Sequence, residues 1–115
     1  MIKPKYKNTK TNINGINFDS IKEAKRYQDL FWKEKQGLIC NLERQKKFEI
    51  CPKIPNVKNS RAKHYICDFY YFDKRLNKYV IEDVKGKYTA SLPLFKLKWQ
   101  LMMYLYPEYE YVIYD

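Results

Sequence analysis

Long apolar runs are missing from this sequence. No window approaches the roughly 18 consecutive apolar residues that a membrane-spanning helix requires, so no span is expected. The basic start "MIKPKYKNTK" lacks the apolar stretch of a secretory signal, and none is expected there. Cysteine is scarce and odd in number: Cys40, Cys51 and Cys67, without framework spacing and without a Cys-x-x-Cys pair. This excludes a disulfide scaffold and fits the reduced thiols of a cytoplasm. His64, the single histidine, lies three residues from Cys67. On a strand the two would point to opposite faces, so a zinc site is disfavoured. Internal repeats, low-complexity segments, zinc fingers and recognition helices are absent too. Reading of a long base sequence is therefore not expected.

Acidic residues are also few. Twenty-three Lys and Arg stand against thirteen Asp and Glu, a formal charge of +10, and nineteen of the basic residues are Lys. An excess of this size favours a polyanionic partner, because each neutralised phosphate releases condensed counterions. A membrane surface is a poorer partner, since no helix combines a clean basic face with a clean apolar one. At 115 residues with 45% apolar content, the chain has the size of one domain with a single core of two or three layers.

Residues 1–17 read as a Lys- and Asn-rich arm reaching past the turn dipeptide Asn14-Gly15, either a short hairpin or a tail. "FDSIKEAKRYQDLFWKEKQG" predicts a helix, capped at Asp19 or Ser20 and stopped by Gly37. Its apolar positions are Ile21, Ala24, Tyr27, Leu30 and Phe31. "QKKFEICP" predicts a strand stopped by Pro52, and "PKIPNVKNSRAK" a loop or hairpin tip. "HYICDFYYFD" and "KYVIEDVKG", joined by "KRLN", predict a hairpin. "SLPLFKLKWQLMMYLY" reads as a second helix with Ser91 as cap and Pro93 in the first turn; "YEYVIY" closes as a strand. The order predicts an α/β (α+β) fold, a mixed β-sheet with a helix on each face.

The chemistry concentrates in Val80-Ile81-Glu82-Asp83-Val84-Lys85-Gly86. Val and Ile mark a strand for a sheet interior, yet it carries two carboxylates and a lysine, and buried charge is costly unless partnered. Alternation puts Asp83 and Lys85 on one face with Ile81, and Glu82 on the other with Val80 and Val84. Counting outward from the turn brings Asp68, aligned with Ile66, Tyr70 and Phe72, near Asp83; a slip of one residue would reverse this. Two close carboxylates repel unless a cation lies between them. Mg²⁺ (or Mn²⁺) suits such a pair, taking hard oxygen ligands and leaving room for water and phosphate. A lysine beside it can position the water or stabilise developing charge. Glu23 is a third acid. It completes a Ser20-Ile21-Lys22-Glu23 capping box, and position alone does not separate a cap from a ligand.

Three motifs occur in order: Phe18-Asp19-Ser20…Glu23-Ala24, Asp68-Phe69-Tyr70-Tyr71 and Glu82-Asp83-Val84-Lys85-Gly86. Together they resemble the PD-(D/E)xK nuclease superfamily, and in particular small phage-encoded endonuclease-like and Holliday-junction-resolvase-like proteins. The resemblance runs from about residue 5 to residue 107. It implies a restriction-endonuclease-like core and a metal-dependent endodeoxyribonuclease. Asp68 and Asp83 would be metal ligands, Glu23 the helix acid, and Lys85 the catalytic base or stabiliser. Aspartate at position 83 departs from the commoner glutamate, which leaves Glu82 as an alternative ligand. The implied substrate is branched or otherwise structured DNA in phage recombination or replication, met in the bacterial host cytoplasm.

Among the basic residues, Lys58, Arg61 and Lys63 in the central loop and Lys87, Lys96 and Lys98 after the acid–x–Lys strand are the expected phosphate contacts. A homodimer follows from need, because a junction takes two cuts and so small a domain covers one. Gln45 reads as a surface amide. Two other classes stay open: a nucleic-acid-binding protein with a nuclease fold and no cleavage, and a phage-encoded adaptor or inhibitor that binds protein.

Overall fold

A computed structural model describes residues 10–13 and 15–115. Most of the expected basic arm (1–9, and Asn14) lies outside them. The rest of that segment is the hairpin alternative, β1 (Thr11–Ile13) paired antiparallel with β2 (Ile16–Phe18). Gly15 takes the turn position at φ +79°, and its N–H donates to the Asn12 side chain at 3.2 Å.

Helix α1 (Ile21–Lys35) starts where the extended Ser20 places its Oγ to accept from the Glu23 N–H at 3.1 Å. It stops because Gly37 adopts φ +79°, which costs a residue without Cβ nothing. The Gly37 N–H then donates to Glu34 and the Leu38 N–H to Lys33, satisfying two terminal carbonyls. Ala24 and Leu30 are buried on its inner stripe, whereas Ile21, expected there, is 47% exposed in the first turn.

Strands β3 (Ile39–Arg44), β4 (Lys47–Cys51), β5 (Lys63–Ile66), β6 (Phe69–Asp73), β7 (Lys78–Val84) and β8 (Glu110–Tyr114) make two sheets. The larger has the order β3-β6-β7-β8, antiparallel except for the β7–β8 pair; the smaller is the antiparallel pair β4–β5. Helices α2 (Lys87–Ala90) and α3 (Pro93–Leu105) make the crossover from β7 to β8. The architecture is mixed α+β.

Alternation along the central strands divides the apolar residues between two cores. Phe69, Tyr71 and Val80 face α1 and join Phe18, Ala24 and Leu30. Tyr70 and Ile81 face the other way, against Trp99 and Met102 of α3 and Phe48 and Tyr65 of the small sheet. The main sheet thus has a helix on each face, and β7 is buried on both.

Several expectations are corrected. The single run "HYICDFYYFD" is two strands, because the chain bends at Cys67-Asp68 from the small sheet into the large one. Across the same bend, Gln45 takes φ +51° between β3 and β4. The Cys67 N–H donates to the Lys46 carbonyl at 3.1 Å and the Gln45 N–H to the Asp68 carbonyl at 3.0 Å, so both strand pairs turn together. Asp68 is therefore a bend residue, not a strand residue aligned with Ile66. Ser91 does not cap the second long helix. It ends α2, which the sequence reading did not include, and α3 begins at Pro93 after an extended Leu92 with no side-chain cap. Strand β3 was not expected either.

Candidate functional site

The β6–β7 register pairs Phe69 with Glu82, and one further step brings Asp68 opposite Asp83. The bend frees the Asp68 side chain to turn along β7, where Oδ2 accepts from the Val84 N–H at 2.7 Å. Asp83, buried on the α3 face, accepts a hydrogen bond from the Tyr65 hydroxyl at Oδ2. Its Oδ1 is buried without a hydrogen-bond partner, although Lys85 Nζ stands 3.1 Å away as an ion pair. Lys85 is held from two sides. Its N–H donates to the Tyr114 carbonyl of β8 at 2.9 Å, and its Nζ lies 4.9 Å from the centre of the Phe95 ring.

Glu23 arrives from the first turn of α1, nearly buried, with Arg44 of β3 at 3.9 Å. Its Oε1 also lacks a hydrogen-bond partner. The N-cap bond uses the Glu23 backbone, so the carboxylate remains available to the site.

The electrostatics record the convergence. Burial, and then the charge of Asp83, push the Asp68 carboxyl well above the usual range, against the opposing effect of the Val84 N–H. Burial likewise raises Glu23, offset by Arg44 and reinforced by Asp19 and Asp83. Tyr65 is raised by burial and by Asp83, which keeps its hydroxyl a donor, and burial pushes the Cys67 thiol up to about 12. Both raised carboxyls, Asp68 and Glu23, feel the charge of Asp83, which is itself ion-paired with Lys85.

The other acid of the motif is differently employed. Glu82, fully buried on the α1 face, accepts two hydrogen bonds from Arg26, Nε at 2.7 Å and Nη2 at 2.8 Å, and a third from the Tyr71 hydroxyl at 2.9 Å. The Arg26 guanidinium also lies 4.1 Å from the centre of the Tyr114 ring. Glu82 is thus neutralised within the fold, on the opposite face from Lys85. Asp83 is the acid that stands with Asp68.

Whether these residues suit a metal can be judged from their donors. Among the described residues, no set of three or more His, Cys, Asp or Glu side chains is arranged to enclose an ion alone. Two adjacent carboxylates are nevertheless what Mg²⁺ takes from a protein when water and phosphate supply the remainder. The repulsion between Asp68 and Asp83 fits an added positive charge between them.

A cleft of about 410 Å³ opens beside this group, with Asp83 and Lys85 in its wall. Of the expected phosphate contacts, Lys98 lines it; Lys63, at the start of β5, is exposed next to the lining residue His64. Lys58, Arg61, Lys87 and Lys96 are exposed and do not line it. Gln45 is exposed, and only its backbone reaches Asp68. Sequence reasoning missed Tyr65, Arg44 and Arg26. Tyr65 had a readable signal, since alternation from Cys67 sets it on the Asp83 face, but it was absorbed into an aromatic run that reads as core.

The family model described as "Protein of unknown function (DUF1064)" matches residues 3–114. Searches of curated proteins and of solved structures each found no match. The three free cysteines form no disulfide, and no helix among the described residues is long and apolar enough to cross a membrane.

Proposed function

We propose that this chain, which belongs to the DUF1064 family of proteins of unknown function, is a metal-dependent DNA endonuclease of PD-(D/E)xK type. Its substrate would be branched or otherwise structured DNA, met in a cytoplasm, with a homodimer making paired cuts. The observation that carries the reading is the convergence of Glu23 from α1, Asp68 from the bend, and Asp83 with Lys85 from the end of β7, three separate places in the chain.

Asp68 and Asp83 would hold Mg²⁺ or Mn²⁺, with Glu23 contributing directly or through water. The ion would supply positive charge at the scissile phosphate and lower the pKa of the attacking water. The protein's own groups do the rest. Tyr65 fixes the Asp83 carboxylate by donating to one oxygen, leaving the other beside the Lys85 ammonium. Lys85 holds an ammonium where water attacks phosphorus, orienting that water or stabilising charge on the phosphoryl oxygens as the P–O bond breaks. Phe95 beneath Nζ limits its motion.

The test is incubation of the purified chain with four-way junction, flap, single-stranded and linear duplex DNA, with and without Mg²⁺ or Mn²⁺. The expected result is metal-dependent cleavage that falls by about 10²–10³ in Lys85→Met and disappears in Asp68→Asn while the DNA affinity of Asp68→Asn persists. Binding without cuts under every metal condition would contradict it and leave a non-catalytic binding protein.

A further inference from the structure

The cleft that opens from Asp83 and Lys85 has both polar and apolar lining. Lys98 adds a second ammonium to it, and Ile66, Leu92, Leu94 and Phe95 form an apolar wall. These apolar side chains are not a sealed core: Leu94 is 64% exposed, Ile66 54% and Leu92 38%. An apolar wall open to water, beside the ammonium groups of Lys85 and Lys98, suits a ligand that is anionic at one end and apolar and flat at the other. Paired bases do not present such a face, because each is covered by its neighbours in the stack and only edges and phosphates are on offer. A nucleotide out of the stack does present it.

We propose that the Ile66–Leu92–Leu94–Phe95 wall receives the base of an unpaired nucleotide adjoining the phosphate held at Lys85 and Lys98. This names the substrate class as DNA with an unpaired nucleotide at the cleavage point, and it rests on the nuclease reading above. The volume of about 410 Å³ accommodates one nucleotide and not a duplex. The +10 charge of the chain matches the occupant's phosphates. The wall is built by α3, the residue preceding it and β5, outside the Asp68–Asp83 pair, so it can be altered without touching the acids.

The experiment is DNA binding by the whole chain in EDTA, followed by fluorescence anisotropy, which makes the outcome independent of cleavage. A duplex with a single-stranded flap is expected to bind about tenfold tighter than a blunt duplex of equal length, a low-end value for one stacked base. The double variant Leu92→Ser/Leu94→Ser is expected to lose that preference while its blunt-duplex affinity stays unchanged. In the wild-type chain, 5-iodouracil at the unpaired position is expected to photo-crosslink to Phe95, and in the duplex arm not to. Equal affinity for flap and blunt duplex, or crosslinks independent of pairing, would overturn the proposal. So would a variant that loses self-association and keeps the flap preference, since the wall would then serve a second copy. Flap preference in a chain that never cuts with Mg²⁺ supports the base site and sinks only the nuclease reading.

Discussion

At the scale of the residue, Asp68 is the most informative side chain. Its carboxyl is raised by burial and by Asp83, so the folded chain keeps a proton that the unfolded chain has already released. The unfolded carboxyl titrates near its ordinary value of 3.8. Metal-free stability therefore falls as pH rises above that value and continues to fall through the raised folded-state pKa. Urea unfolding in EDTA from pH 4 to pH 9 should show this decline from Asp68, and Mg²⁺ should reverse part of it at the alkaline end by binding only the fold. Asp68→Asn keeps an acceptor for the Val84 N–H and removes the repulsion. In EDTA at neutral pH it should raise the melting temperature by about 3–6 °C, read by circular dichroism. The same substitution should abolish cleavage, a trade of stability for function at one atom. Lys85→Met should lower the cleavage rate by about 10²–10³.

At the scale of the element, the site depends on how α1 meets β7. Arg26 lies one turn after Glu23, and Glu82 is the neighbour of Asp83. Their bidentate ion pair therefore ties the helix that brings one acid to the strand that brings another. Removing Arg26 leaves a buried carboxylate with only Tyr71, and Arg26→Met should cost about 3–5 kcal/mol in chemical denaturation. Arg26→Met combined with Glu82→Leu should recover most of that stability, because an apolar pair of similar volume carries no desolvation penalty. Elements with a continuous signal were legible. The 3.6-residue pattern between Ser20 and Gly37 marked α1, and the hairpin around "KRLN" put Asp68 opposite Asp83. Strand β3 was hidden because "ICNLER" does not alternate: Asn41 takes φ +58° and the register shifts between Cys40 and Glu43, interrupting the period of two. Helix α2 has four residues, fewer than periodicity can reveal. The bend at Cys67-Asp68 left no mark, since both flanks are β-branched or aromatic and no proline or glycine punctuates them. Arg26 for Glu82 and Arg44 for Glu23 came from long-range packing, which no local pattern encodes.

At the scale of the whole molecule, the charge of +10 has to be reconciled with a centre of three acids. A basic surface would draw nucleic acid in, and a divalent ion at the acids would add the positive charge that hydrolysis needs there. If Lys58, Arg61, Lys63, Lys87, Lys96 and Lys98 all meet phosphates, the logarithm of DNA affinity should fall with the logarithm of salt concentration with a slope of about −5. Lys98→Gln should flatten that slope by about one in anisotropy titrations, while Lys35→Gln, outside the expected phosphate contacts, should leave it unchanged. The account stands most directly on the ion itself. Isothermal titration of Mn²⁺ into the metal-free chain should give saturable binding at one ion per chain. Asp68→Asn, with its fold verified, should abolish it. No saturable heat, or binding that survives Asp68→Asn unaltered, would contradict a metal centre at Asp68 and Asp83.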